Sequence, residues 1–147
     1  MSQDNNSTNQ NPAGDLLVVE NLTTTFSTAR GPLPAVGGVS FRLGPNEILG
    51  VVGESGSGKT VLSRTIMGLQ PRTNVEVGGS VLLDGHQIVG ATDETLRDIW
   101  GTKVAMIFQD PMTSLNPVTK IGKQIGESLQ VRLGMSKAEA KARVIEL

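Results

Sequence analysis

The residues Ile48-Leu49-Gly50-Val51-Val52 run without a polar break into Gly53-Glu54-Ser55-Gly56-Ser57-Gly58-Lys59-Thr60. Leu62, Ile66 and Leu69 then recur at helical spacing until Pro71 stops the pattern. A short apolar run without alternation suits a strand covered on both faces, as in the parallel sheets of α/β proteins. Strand, glycine loop and helix in that order form one α/β unit, and the loop fits G-x-x-x-x-G-K-[ST] at every fixed position. Each residue type has a task in that pattern. Glycines let successive N–H groups turn inward around phosphate oxygens, where a Cβ would obstruct. A helix beginning near Lys59 aims the positive end of its dipole at the same anion. Lys59 supplies a point charge to the terminal phosphates, and the Thr60 hydroxyl can ligate Mg²⁺. The expected nucleotide contacts are therefore Gly53, Glu54, Ser55, Gly56, Ser57, Gly58, Lys59 and Thr60, although the spacing of Glu54 does not make it a base.

The surrounding pattern, over residues 15–147, adds strands and helices on both sides of this unit. Leu16 to Val19 read as a short strand, and Val39, Phe41 and Leu43 alternate with polar residues as in a half-buried one. Gly44-Pro45-Asn46-Glu47 is a turn. Val81 to Leu83 form a strand that runs into the turn Asp84-Gly85. Thr92 can cap a short helix containing Leu96 and Ile99, and Lys103 to Phe108 predict a further strand. Ile121, Ile125, Leu129 and Leu133 are spaced by four along a helix that Gly134 ends. Ser136 and Glu139 form a capping box for a last helix, with Ala138, Ala142 and Ile145 on one face. Residues 1–14 are polar and asparagine-rich, the composition of a disordered tail, and have no apolar centre of a signal peptide.

Composition narrows the function classes. A chain of 147 residues buries roughly 70% of its unfolded surface, enough for one core. Thirteen basic against fourteen acidic residues argue against a nucleic-acid binder or a polybasic membrane clamp. The absence of cysteine removes disulfides and thiolate metal sites. The longest mainly apolar run has five residues, against roughly 20 for a bilayer span. His86, the single histidine, follows Asp84-Gly85 as a solvated turn residue, and Trp100 packs the short helix beside it in sequence.

GESGSGKT followed by VAMIFQDPMTSLNP, together with LLVVENLTTTF, AVGGVSFRLGPNEILGVV and VGGSVLLDG, resembles the ABC-transporter ATP-binding subunits of the oligopeptide/dipeptide permease class. The resemblance spans about residues 15–147. It implies a P-loop NTPase fold of α/β class with an N-terminal antiparallel β subdomain, cut short in the helical subdomain. It also implies ATP and Mg²⁺ as cofactors. Gln109 matches the family's Q-loop glutamine, which reaches the metal or the attacking water and couples to the transmembrane partner, and an amide oxygen suits a hard cation. Lys59 and Gln109 are then the catalytic residues, and Thr60 and Gln109 the metal ligands. Phe26 matches the aromatic that stacks on adenine, a task needing only a π-face. The implied partners are transmembrane permease subunits, a second nucleotide-binding subunit in a head-to-tail dimer and, indirectly, an extracytoplasmic solute-binding protein. The implied location is the cytoplasmic face of the cell membrane, and residues 110–118 begin the surface facing the permease.

The family's signature motif, its Walker B Asp-Glu and its switch histidine do not occur, since His86 precedes Gln109. Those groups supply the water-orienting base and the surface that closes on the opposite nucleotide. The expectation is an N-terminal portion of a transporter ATPase, arising as a fragment, a truncated reading frame or an incomplete gene model, and inactive alone. Without its neighbours in the sheet, the strand at 48–52 would be left with bare backbone groups and uncovered faces. By resemblance the parent protein couples ATP binding and hydrolysis to import of peptides or a similar small solute, whereas the rival reading is a non-catalytic module that binds nucleotide weakly or not at all and turns nothing over. A P-loop small-molecule kinase would need a lid arginine cluster after the first helix, where only Arg72 stands.

Overall fold

A computed structural model of the protein describes residues 14–109 and 115–147. The expected tail at 1–14 lies, but for Gly14, outside the described residues, as do positions 110–114 of the expected permease-facing surface. The chain divides into two compact units, at Arg97 and Asp98.

The first unit is built on an antiparallel sheet of four strands in the order β2-β1-β3-β4. Strand β1 spans Leu17–Thr28, β2 Gly31–Leu43, β3 Val75–Leu83 and β4 His86–Gln87. β1 is the central plank, pairing with β2 from Leu17↔Leu43 to Thr28↔Gly31 and with β3 from Leu17↔Leu83 to Phe26↔Val75. All three long strands exceed the short apolar runs that announce them. Pro32 and Pro34 argue against a strand, yet β2 lies at the sheet edge, where a missing N–H costs no ladder bond on the open side. A bulge interrupts β1 at Glu20 and Asn21, where Asn21 takes φ 47° and donates its N–H to Ser40 Oγ at 2.8 Å. A Cβ at Gly79 would strike the carbonyls of these two residues, so β3 must carry glycine there. Asp84 and Gly85, both at positive φ, make the tight β3–β4 turn, and His86 therefore sits on a two-residue strand paired with Leu83, not in the turn.

Helix α1, Lys59–Ile66, covers the sheet, and α2 spans Asp93–Ile99. The first unit's core contains Val18, Val19, Leu22, Val36, Leu62, Val81, Leu82, Leu83 and Ile88. α1 ends before Pro71 because Gly68 turns left-handed at φ 68° and Leu69 N–H closes back on Arg64 O at 2.8 Å. Thr92 caps α2 as expected, accepting from Thr95 N–H at 3.3 Å.

The second unit contains α3, Ile121–Leu133, and α4, Lys137–Glu146. Gly134 ends α3 at φ 65°, and the Ser136/Glu139 capping box opens α4 with both of its hydrogen bonds formed. The inward face of α4 is Ala140 with Val144, whose methyls lie 3.4 and 3.6 Å from where Cβ atoms on Gly122 and Gly126 of α3 would stand. Ala138, Ala142 and Ile145, the residues read as sharing one face, are all exposed, because α3 presents its glycines to the other side of the helix.

Two expected strands are absent among the described residues. Residues 48–52 join no ladder, with Ile48 99% and Val52 93% exposed. Residues 103–108 form only an isolated bridge, Trp100↔Val104, and Ile107 is 99% exposed. An apolar run becomes a strand only when a neighbour satisfies its backbone, and here none lies alongside. No helix among the described residues is long and apolar enough to cross a membrane.

Candidate functional site

The loop from Gly53 to Gly58 folds into a compact turn in which Ser57 N–H donates to Glu54 O at 3.2 Å. Gly56 and Gly58 hold φ of 83° and 88°, values that only glycine adopts without strain. Gly58 is also the N-cap of α1, whose first intrahelical bond, Leu62 N–H to Gly58 O, measures 2.8 Å. No side chain caps this end, so the first-turn amides keep their donor capacity for an outside acceptor. No acidic residue occupies the first turn either, leaving the positive end of the helix uncompensated.

The Lys59 ammonium bends back across the loop. Its Nζ donates to the carbonyls of Gly53 and Glu54, each at 2.7 Å, and to Ser57 Oγ at 3.3 Å. These three acceptors match the three donors of an ammonium, and they place its charge at the loop's centre. Thr60 presents an exposed hydroxyl at the helix's second position. Among the described residues no three His, Asp or Glu side chains cluster to hold a metal ion. A cation here would rely on the Thr60 hydroxyl, phosphate oxygens and water, the usual manner of Mg²⁺ at nucleotides. The donor set fits a polyphosphate: a glycine cradle, uncapped amides and one central cation.

Phe26 lies half-buried on β1, between Leu33 of β2 and Val75 of β3. Its strand packs against α1, so the first unit carries both Phe26 and the phosphate loop. Gln109 stands exposed in the second unit, after the unpaired stretch 105–108. Arg72 is engaged elsewhere, with its guanidinium on Asp93 Oδ1 at 2.6 and 3.0 Å and on Ala91 O at 2.9 Å. A cleft of about 240 Å³ lined by Gln70, Arg72, Val75, Ile88 and Ala91 opens at the far end of α1 and includes no loop residue.

Two supports escaped the pattern reading. A Cβ on Gly58 would collide with Ala35 O of β2, so the loop's last glycine seats directly on the sheet. Thr24 of β1 and Thr65 of α1, both buried, share a hydroxyl–hydroxyl bond of 2.9 Å. The spacing Gly58, Leu62, Thr65 marks one helical face and is the signal that could have pointed to them.

Residues 36–147 match the family described as ABC transporter. The chain is 42% identical over 139 residues to a probable peptide ABC transporter ATP-binding protein of Sinorhizobium fredii, a match covering 93% of this chain and 42% of that protein. It is 46% identical over 129 residues to the oligopeptide transport ATP-binding protein OppD of Salmonella typhimurium, covering 88% of this chain and 38% of that protein. The chain thus spans about two fifths of the length of these relatives. Its fold matches the dimeric ATP-binding cassette MJ0796, in a post-hydrolysis state bound to ADP and Pi, with a TM-score of 0.71 at 24% identity, over 88% of this chain and 54% of that one.

Proposed function

The chain belongs to the ABC transporter family, and from that premise we propose that it is the nucleotide-gripping part of an import ATPase, residues 15–147 forming one such portion behind the tail at 1–14. The observation that carries this reading is the loop itself, a cradle of left-handed glycines and an uncapped helix start closed around one ammonium. The backbone amides from Gly53 to Thr60 would hold the β- and γ-phosphates of ATP, and Lys59 would neutralise them. The Thr60 hydroxyl would ligate Mg²⁺, which supplies charge neutralisation of the phosphates when bound. Gln109, in the second unit, would serve as the family's Q-loop glutamine, a metal-ligating amide by resemblance. Phe26 would stack on the adenine.

Relatives named for peptide and oligopeptide transport favour peptides as the solute, with nickel or glutathione as alternatives within the class. The partners would be transmembrane permease subunits, a second nucleotide-binding subunit head-to-tail and, indirectly, a solute-binding protein, at the cytoplasmic face of the membrane. The chain itself would bind ATP·Mg²⁺ and turn none over, because no signature motif, Walker B Asp-Glu or switch histidine is present to orient water. Titration of the purified chain with ATP, alongside phosphate release, tests both statements. Saturable binding lost in Lys59→Ala with no release is expected. Release that depends on Lys59 would overturn the non-catalytic part, and absence of saturable binding would overturn the nucleotide site.

A further inference from the structure

We infer that Thr65, through its hydroxyl pairing with Thr24, is a positioning residue that sets the base platform at Phe26 in register with the phosphate cradle at Gly53–Thr60; the inference rests on the functional reading of those two sites. The donors and acceptors around the pair fix its direction. Thr65 Oγ1 lies 2.7 Å from Val61 O, which can only accept, so the single Thr65 proton goes there. Gln70 Nε2 donates to Thr65 Oγ1 at 3.0 Å and also reaches Val61 O at 3.0 Å. The remaining lone pair of Thr65 must receive Thr24 Oγ1–H at 2.9 Å, and the hydroxyl is then fully satisfied while 2% exposed. A saturated, buried hydroxyl of this kind admits one arrangement, unlike an apolar contact that can slide.

The bond sits where register matters. Thr24 and Phe26 are two residues apart on β1 and share a sheet face, about 7 Å along the strand. Thr65 is seven residues beyond Gly58, two helical turns or about 10 Å, on the same face with buried Leu62 between them. At the other end of this face Ala35 O abuts Gly58. Ala35 is the unpaired residue of a bulge, since Thr24 pairs with Val36 and Thr25 with Pro34. α1 is therefore pinned to β2 at its start and to β1 near its end. The first contact fixes the cradle's height over the sheet, and the second fixes its rotation relative to Phe26.

A ligand that spans both points should feel the Thr65 contact, and one that touches the cradle alone should not. The experiment compares affinities of the chain for ATP and for inorganic tripolyphosphate in wild type, Thr65→Val, Thr65→Ser, Thr24→Val with Thr65→Val, Phe26→Ala, and Phe26→Ala with Thr65→Val. In Thr65→Val, ATP affinity is expected to fall about tenfold, with tripolyphosphate within twofold of wild type. Thr65→Ser restores ATP affinity, and adding Phe26→Ala to Thr65→Val costs nothing further, because the hydroxyl acts through the ring. The double variant removes both hydroxyls at once, so it keeps the fold while still losing the ATP preference. Equal weakening of ATP and tripolyphosphate, or additive losses with Phe26→Ala, overturns the positioning role alone. A wild-type chain that binds neither ligand overturns the functional reading and this inference with it.

Discussion

Lys59 Nζ donates to the carbonyl of Gly53 at 2.7 Å, so the last charged residue of the loop ties itself to the first glycine. The ammonium is at once the strut that closes the turn and the cation at its centre. An entering phosphate finds the charge already placed and takes over one of the ammonium's donors from the loop's own acceptors.

Lys59→Ala removes the strut and the charge together. Charge-assisted hydrogen bonds are worth about 1.5–3 kcal/mol each, so ATP affinity should fall at least about 10-fold and up to about 100-fold. Isothermal titration against ATP checks the loss, and amide exchange at Gly53 and Ser57 checks the loop's opening.

The two left-handed glycines of the loop should respond unequally to alanine. At Gly56 a Cβ meets no heavy atom within 4 Å, so Gly56→Ala carries only the left-handed penalty of about 1 kcal/mol. At Gly58 the same penalty is joined by collision with Ala35 O, a backbone atom that cannot swing aside. Gly58→Ala should cost about 3 kcal/mol or more, read as a larger drop in denaturant midpoint than for Gly56→Ala.

Gly126 of α3 is buried at a helix interior, with Val144 Cγ2 3.6 Å from the position of an added Cβ, an ordinary contact distance. Gly126→Ala should therefore stabilise the second unit by about 0.5–1 kcal/mol, the difference in helix propensity. Thermal unfolding of the two proteins in parallel gives the sign.

The capping box of α4 is sensitive to acid. Hydrogen bonds to Ser136, first with its side chain and then with its backbone N–H at 2.8 Å, hold the Glu139 carboxyl below its ordinary 4.5. A lowered folded-state value means the carboxylate contributes stability above the ordinary range and loses it as pH falls through the lowered value. The amide shift of Ser136, followed by NMR through an acid titration, should report a midpoint below 4.5 in wild type, and Ser136→Ala should move that midpoint upward.

Features decided within a few residues are legible in the chain's own order of side chains. Ile121 to Leu133 at spacing four, Gly134 beyond them and the Ser136/Glu139 box all declare themselves locally, and all stand where expected. The loop pattern marks which residues gather at Lys59 for the same reason. What depends on a distant partner is not legible. Ile48–Val52 and Lys103–Phe108 have strand composition, yet composition supplies no neighbour for their N–H groups. Ala138 and Ala140 are equally apolar, yet only Ala140 is buried, one turn before the Val144 that meets the glycines of α3. Thr24 and Thr65 lie 41 residues apart, beyond the reach of any periodicity.

The phosphate loop is anchored asymmetrically. Its C-terminal side is held by α1 at Gly58 and Thr65, whereas Gly53 hangs from five residues that join no ladder among the described residues. A strand laid along 48–52 would set the placement of Gly53 without touching the helix. By reciprocity, an anion held in the loop would favour the paired form of 48–52 by the same free energy. A strand paired along Ile48–Val52, were one supplied, would thus act on the loop through Gly53 alone, and an anion in the loop would act back on that pairing.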